Sequence, residues 1–78
     1  MEKAILKLAC RFNSWLNRKH GVIDARTTYY GKEVHLKENK FFEMFDKYER
    51  ENHGDTFDKV FATDGGTVFF ALVESEGK

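Results

Sequence analysis

FDKVFATDGGTVFFALVE, residues 57–74, decides how this chain folds. Two β-type runs flank Gly65-Gly66, and a Gly-Gly pair suits a two-residue hairpin turn because glycine reaches positive φ without steric cost. A loop centred there sets Thr63 opposite Val68, Phe61 opposite Phe70 and Lys59 opposite Leu72 on one side of the ribbon. Ala62 with Phe69 and Val60 with Ala71 then occupy the other side. The second run, Val68-Phe69-Phe70-Ala71-Leu72-Val73, is apolar on both faces, although a strand with one buried face needs only one. Such a strand either lies between two covering layers or leaves an apolar face for a partner.

Working outward, the same layout of one helix and one hairpin occurs twice. Ile5, Leu8, Phe12 and Trp15 recur at three-to-four spacing, with Ala4, Ala9 and Leu16 broadening the stripe, and predict one long amphipathic helix. It should stop near Arg18-Lys19-His20-Gly21, where cations complement the carbonyl end and glycine takes the left-handed cap. Residues 22–30 and 33–37 then alternate as strands about a Gly31-Lys32 turn. In that register Tyr29 faces Val34 and Thr27 faces Leu36, with Ile23 and Ala25 continuing the apolar side. On the other side Tyr30 faces Glu33, Thr28 faces His35 and Arg26 faces Lys37.

A second helix is expected from Asn39 to Asn52, on the stripe Phe41, Met44, Phe45 and Tyr48. Glu43 with Lys47 and Asp46 with Arg50 have the favourable acid-before-base spacing of four on its wet side. His53-Gly54-Asp55 would close it ahead of the Gly-Gly hairpin. The expected fold is therefore α+β in αββαββ order, a single domain over residues 1–78. Its four-stranded antiparallel sheet is built from two hairpins, with both helices packed on one face. The opposite face of the sheet is then the functional suspect, carrying Arg26, Thr28, Tyr30, His35 and Lys37 beside an apolar band from the second hairpin. Helices divided between both faces are the alternative.

Composition narrows the function. The chain has 78 residues, with eight Phe, three Tyr and one Trp to build a core without metal or disulfide. A single cysteine, Cys10, forms no internal disulfide and suits a reducing compartment, while Lys3 and Lys7 interrupt the N-terminal apolar pattern that a signal peptide or membrane span requires. A cytoplasmic protein without membrane contact is expected. Net charge is zero, yet residues 1–39 hold eight Lys or Arg against four Asp or Glu, a net of +4, and residues 40–78 hold five against nine, a net of −4. Two such halves either attract each other within the fold or steer a charged partner.

No catalytic constellation emerges. His20, His35 and His53 lack metal-ligand spacing, and His53 with Asp55 and Asp58 is a weak triplet of residue types that ordinarily serve turns. Asp64-Gly65-Gly66-Thr67 lacks the lysine and following helix of a phosphate loop. Neither an enzyme nor a cofactor is expected. The favoured reading is a small interaction protein, a regulator or inhibitor that binds a larger protein or protein–nucleic acid machine, of the kind phages and mobile elements encode. A homodimer through the spare apolar face is a second way to cover it. Nucleic-acid binding is the competing class: Lys3, Lys7, Arg11 and Arg18 would line one side of the first helix as a phosphate-tracking stripe, against which stands a pI of 6.8. Acidic groups at Glu43, Asp46, Glu49 and Glu51 would instead engage a basic groove and compete with nucleic acid.

Overall fold

The computed structural model describes residues 2–75 and confirms the α+β class, with three short helices and a five-stranded mixed sheet. The helices are α1 (Glu2–Leu6), α2 (Ser14–His20) and α3 (Glu38–Met44), with a 3-10 turn at Ala9–Arg11 between the first two. The strands are β1 (Val22–Thr28), β2 (Gly31–Leu36), β3 (Glu49–Asn52), β4 (Phe57–Asp64) and β5 (Thr67–Glu74), in the order β1-β2-β5-β4-β3. The expected sheet of four antiparallel strands is thus corrected twice. A fifth strand exists, and the two hairpins join through a parallel β2–β5 pairing, Lys32 to Thr67 through His35 to Phe70.

The Gly65-Gly66 hairpin has the expected register, Asp64 to Thr67, Phe61 to Phe70 and Lys59 to Leu72. Both glycines take positive φ, 57° and 83°. The first hairpin turns two residues earlier than expected, at Tyr29-Tyr30, with Thr28 facing Gly31, Arg26 facing Glu33 and Asp24 facing His35. Thr28 makes that turn: its hydroxyl donates to the Gly31 carbonyl at 2.9 Å and accepts from the Tyr30 amide at 3.2 Å. Gly31 is required just after the turn, because its φ is +137° and a Cβ there would stand 2.5 Å from the Gly66 carbonyl oxygen. A shift of two preserves side-chain parity, so each residue keeps its predicted face although its partner changes. A register irregularity between Val22 and Asp24 leaves Ile23 exposed instead of on the apolar side.

The long first helix is also corrected. It breaks after Leu6 and again at Asn13, whose side chain accepts the Leu16 amide at 2.9 Å and starts α2 afresh. The breaks change which side chains face the sheet: Ala9 of the predicted stripe is buried together with Leu6, which lay outside it, whereas Ile5, Leu8 and Trp15 of the stripe are exposed. Gly21 ends α2 as expected, at φ 71° with its amide donating to the Arg18 and Asn17 carbonyls. The predicted second helix ends at Met44, and Glu49–Asn52 form β3 in place of its last turn. The cause is tertiary. Asp58 on β4 is buried and accepts Arg50 at 2.8 Å, Asn52 at 2.8 Å and the Ser75 hydroxyl at 3.0 Å, which ties the polar strand to the sheet more firmly than helix-surface pairs would.

One core results. Leu6, Ala9, Phe41 and Phe45 from the helical layer meet Val22, Val34, Leu36, Val60, Phe69, Ala71 and Val73 from the sheet. The strand members all have one parity, so the helices share one face of the sheet and the other face has no layer over it among the described residues.

Candidate functional site

The uncovered face is built from the alternate residues of the same strands. Register places Asp24 of β1, His35 of β2, Phe70 of β5, Phe61 of β4 and Glu49 of β3 in one row across all five strands. The flanking rows hold Arg26, Glu33, Val68 and Thr63 on one side and Leu72, Lys59 and Glu51 on the other. The centre is aromatic: the His35 ring stacks on Phe70 with centroids 4.6 Å apart and planes 12° from parallel. Lys59 reaches over the Phe70 ring at 4.8 Å and the Phe61 ring at 5.8 Å. Neighbouring Leu72 is 43% exposed.

Beside this row lies a cleft of about 160 Å³ lined by Asp24, Ala25, Arg26, Glu33, His35 and Phe70. Arg26 crosses it to Glu33 at 2.9 Å. Burial pushes the His35 pKa below the ordinary 6.5; Asp24 opposes that shift and Lys59 reinforces it. His35 is therefore a neutral aromatic surface at pH 7, floored by Phe70. At one end of the face, the β1–β2 turn projects Tyr29 and Tyr30, 94% and 92% exposed, in edge-to-face contact at 5.1 Å.

Of the residues expected to bind a partner, Arg26, Thr28 and His35 lie on this face and Tyr30 stands at its rim, whereas Lys37 has left the strand as the N-cap of α3. Arg26 and Tyr30 do not face Lys37 and Glu33 as predicted, because the turn sits two residues earlier. Phe61, Phe70 and Lys59 stand as the pairing of the second hairpin had them, whereas Asp24 and Glu49 had not been placed on this face. Phe61 and Phe70 were legible in the doubly apolar β5 and its register; Glu49 was hidden by a helix that does not form there.

The predicted basic stripe is not one surface of one helix. Lys3 lies in α1, Lys7 follows it, Arg11 ends the 3-10 turn and Arg18 belongs to α2. Lys3 rests over the Phe45 ring at 4.8 Å, and Lys7 pairs with Asp64 at 3.0 Å. The weak triplet His53, Asp55 and Asp58 does not converge either: His53 contacts Glu51 at 2.7 Å and stacks on Phe57, while Asp58 turns inward. Among the described residues no group of three His, Cys, Asp or Glu is arranged to hold a metal, and no helix is long and apolar enough to cross a membrane. The chain matches no protein-family model, no curated protein and no solved structure.

Proposed function

We propose that this is a small non-enzymatic interaction protein, a regulator or inhibitor that occupies a surface of a larger protein or protein–nucleic acid machine with the open face of its sheet. The observation that carries the reading is the His35–Phe70–Phe61 row, an aromatic centre on a sheet face that no helix covers among the described residues. Interfaces concentrate their energy in such central aromatic groups, ringed by polar residues that exclude water. Tyr29 and Tyr30 supply a further aromatic contact at the rim. The test is capture of a partner by the immobilised full chain, followed by titration of that partner against Phe70→Ala and Phe61→Ala. Binding should weaken by at least about tenfold in each, with the fold intact by circular dichroism. Unchanged affinity in both variants removes the open face from the interaction.

One observation favours nucleic acid as a second reading: a lysine above a pair of phenylalanine rings is the arrangement on which single-stranded bases stack. Glu33, Glu49, Glu51 and Asp24 around it repel phosphates, which places this reading second. Salt-sensitive binding of an oligonucleotide, lost on Phe70→Ala, would reverse the order.

A further inference from the structure

The two layers of the molecule differ in charge. Lys3, Lys7, Arg11, Arg18 and Lys19 belong to the α1–α2 segment on the covered side. The open face instead carries Asp24, Glu33, Glu49, Glu51 and Glu74 against Arg26 and Lys59. Two cations stand against five carboxylates: Arg26 pairs with Glu33 at 2.9 Å, and Lys59, opposite Glu51 in the register, lies over the Phe70 and Phe61 rings. Asp24 and Glu49 therefore stand in excess at the two ends of the aromatic row, one on each edge strand. A chain with zero net charge thus has an acidic face and a basic back. Such a dipole turns the acidic face toward a positive surface during encounter.

Resting on the open-face reading above, we infer that the occupant of this face is a cationic protein surface, with lysine or arginine side chains flanking an apolar centre. One of those cations seats at the cleft beside Asp24, while Arg26 keeps Glu33. The chemistry fits at each point of the cleft. Carboxylates lie at its wall, beside the stacked His35 and Phe70 rings. The apolar centre of the partner meets Phe61, Val68 and Leu72. A second copy offers its basic helical layer as a competitor, but that contact is head-to-tail and would give rings or filaments, not a closed two-fold dimer. Two of its cations are also already engaged, Lys7 with Asp64 and Lys3 over Phe45. A surface of this kind is what nucleic-acid-binding proteins present, so the protein would occupy it in competition with phosphates.

The experiment uses the full chain, isotope-labelled, and two amidated pentapeptides, one alternating arginine with phenylalanine and the other glutamate with phenylalanine. The arginine peptide should shift the resonances of Asp24, Glu33, His35 and Phe70 saturably and bind at least about tenfold more tightly than the glutamate peptide. Its affinity should fall about tenfold between about 50 and 300 mM sodium chloride. The paired change Asp24→Asn with Glu49→Gln, at exposed sites that leave folding intact, should weaken it about three- to tenfold. Equal binding of the two peptides, or indifference to the paired change, overturns the inference. So does light scattering that shows the face closed by a second copy. The captured partner separates the two levels of the argument. Loss on Phe70→Ala without any response to Asp24→Asn with Glu49→Gln keeps the open face and overturns the cationic occupant, whereas no response to Phe70→Ala removes both.

Discussion

Phe69 and Phe70 are neighbours in β5 and identical in chemistry, yet they belong to different environments. Phe69 is inaccessible to solvent and meets Phe45 of the helical layer at 5.4 Å; Phe70 lies on the open face against His35 and under Lys59. The alternation of a strand separates them, since successive side chains point to opposite faces. One phenylalanine thus belongs to the core, and the next is the one that the proposed partner would contact.

The largest expected effect lies on the folded side of this pair. Phe69→Ala should destabilise by about 3–5 kcal/mol, enough to unfold much of a small domain, as chemical denaturation would show. Gly31→Ala should follow at about 2–3 kcal/mol, because the positive φ is strained for alanine and its Cβ meets backbone that cannot yield. Asp58→Ala should cost about 2 kcal/mol by leaving Arg50 and Asn52 without their shared acceptor, and hydrogen exchange should accelerate first in β3. Phe70→Ala should lower stability less, by about 1–2 kcal/mol, because the partly buried ring packs against His35 and Lys59 and not in the core, while it abolishes most partner binding. A Phe70→Ala protein as unstable as Phe69→Ala would break the division between the faces.

The smallest effect is tied to pH. With its pKa held below 6.5 by burial, His35 takes up a proton at lower pH in the folded chain than in the unfolded one. The stability linked to the neutral ring is therefore complete above about pH 6.5 and declines as pH falls through the folded-state midpoint. A melting temperature that drops between about pH 7 and pH 5 should drop less in His35→Phe, which keeps an aromatic stack on Phe70 without the charge. Equal slopes in the two proteins would show that the ring is not desolvated by that stack.

Much of this was written in local sequence. Gly65-Gly66 fixed a turn, the turn fixed a register, and the register together with a doubly apolar strand pointed to an uncovered face. The first hairpin misled because Gly31 looks like a turn glycine; the turn is instead made by the Thr28 hydroxyl, and the glycine answers to Gly66 in the β4–β5 turn, distant in sequence. β3 was illegible for a related reason. Glu49-Arg50-Glu51-Asn52 has helix-compatible composition, and only Asp58 across the hairpin makes it a strand. The stripe Ile5, Leu8, Phe12 and Trp15 carried true amphipathic periodicity, but the helix breaks after Leu6 and starts afresh at the Asn13 cap, so Leu6 is buried with Ala9 while Ile5, Leu8 and Trp15 are exposed. Of the site, the aromatic centre was readable from pairing, whereas the acidic ends at Asp24 and Glu49 required the order of all five strands.

The parallel β2–β5 ladder has a consequence for how the chain reaches this state. Each hairpin closes over a few residues and forms early, but the halves unite only when β2 finds β5 across the intervening α3, β3 and β4. Closing that long loop precedes any gain from the contacts it allows, so the seam sets the folding rate. The same seam is where two chains would trade halves at high concentration, each β2 accepting the other's β5, a kinetic hazard that rapid pairing within one chain must outrun.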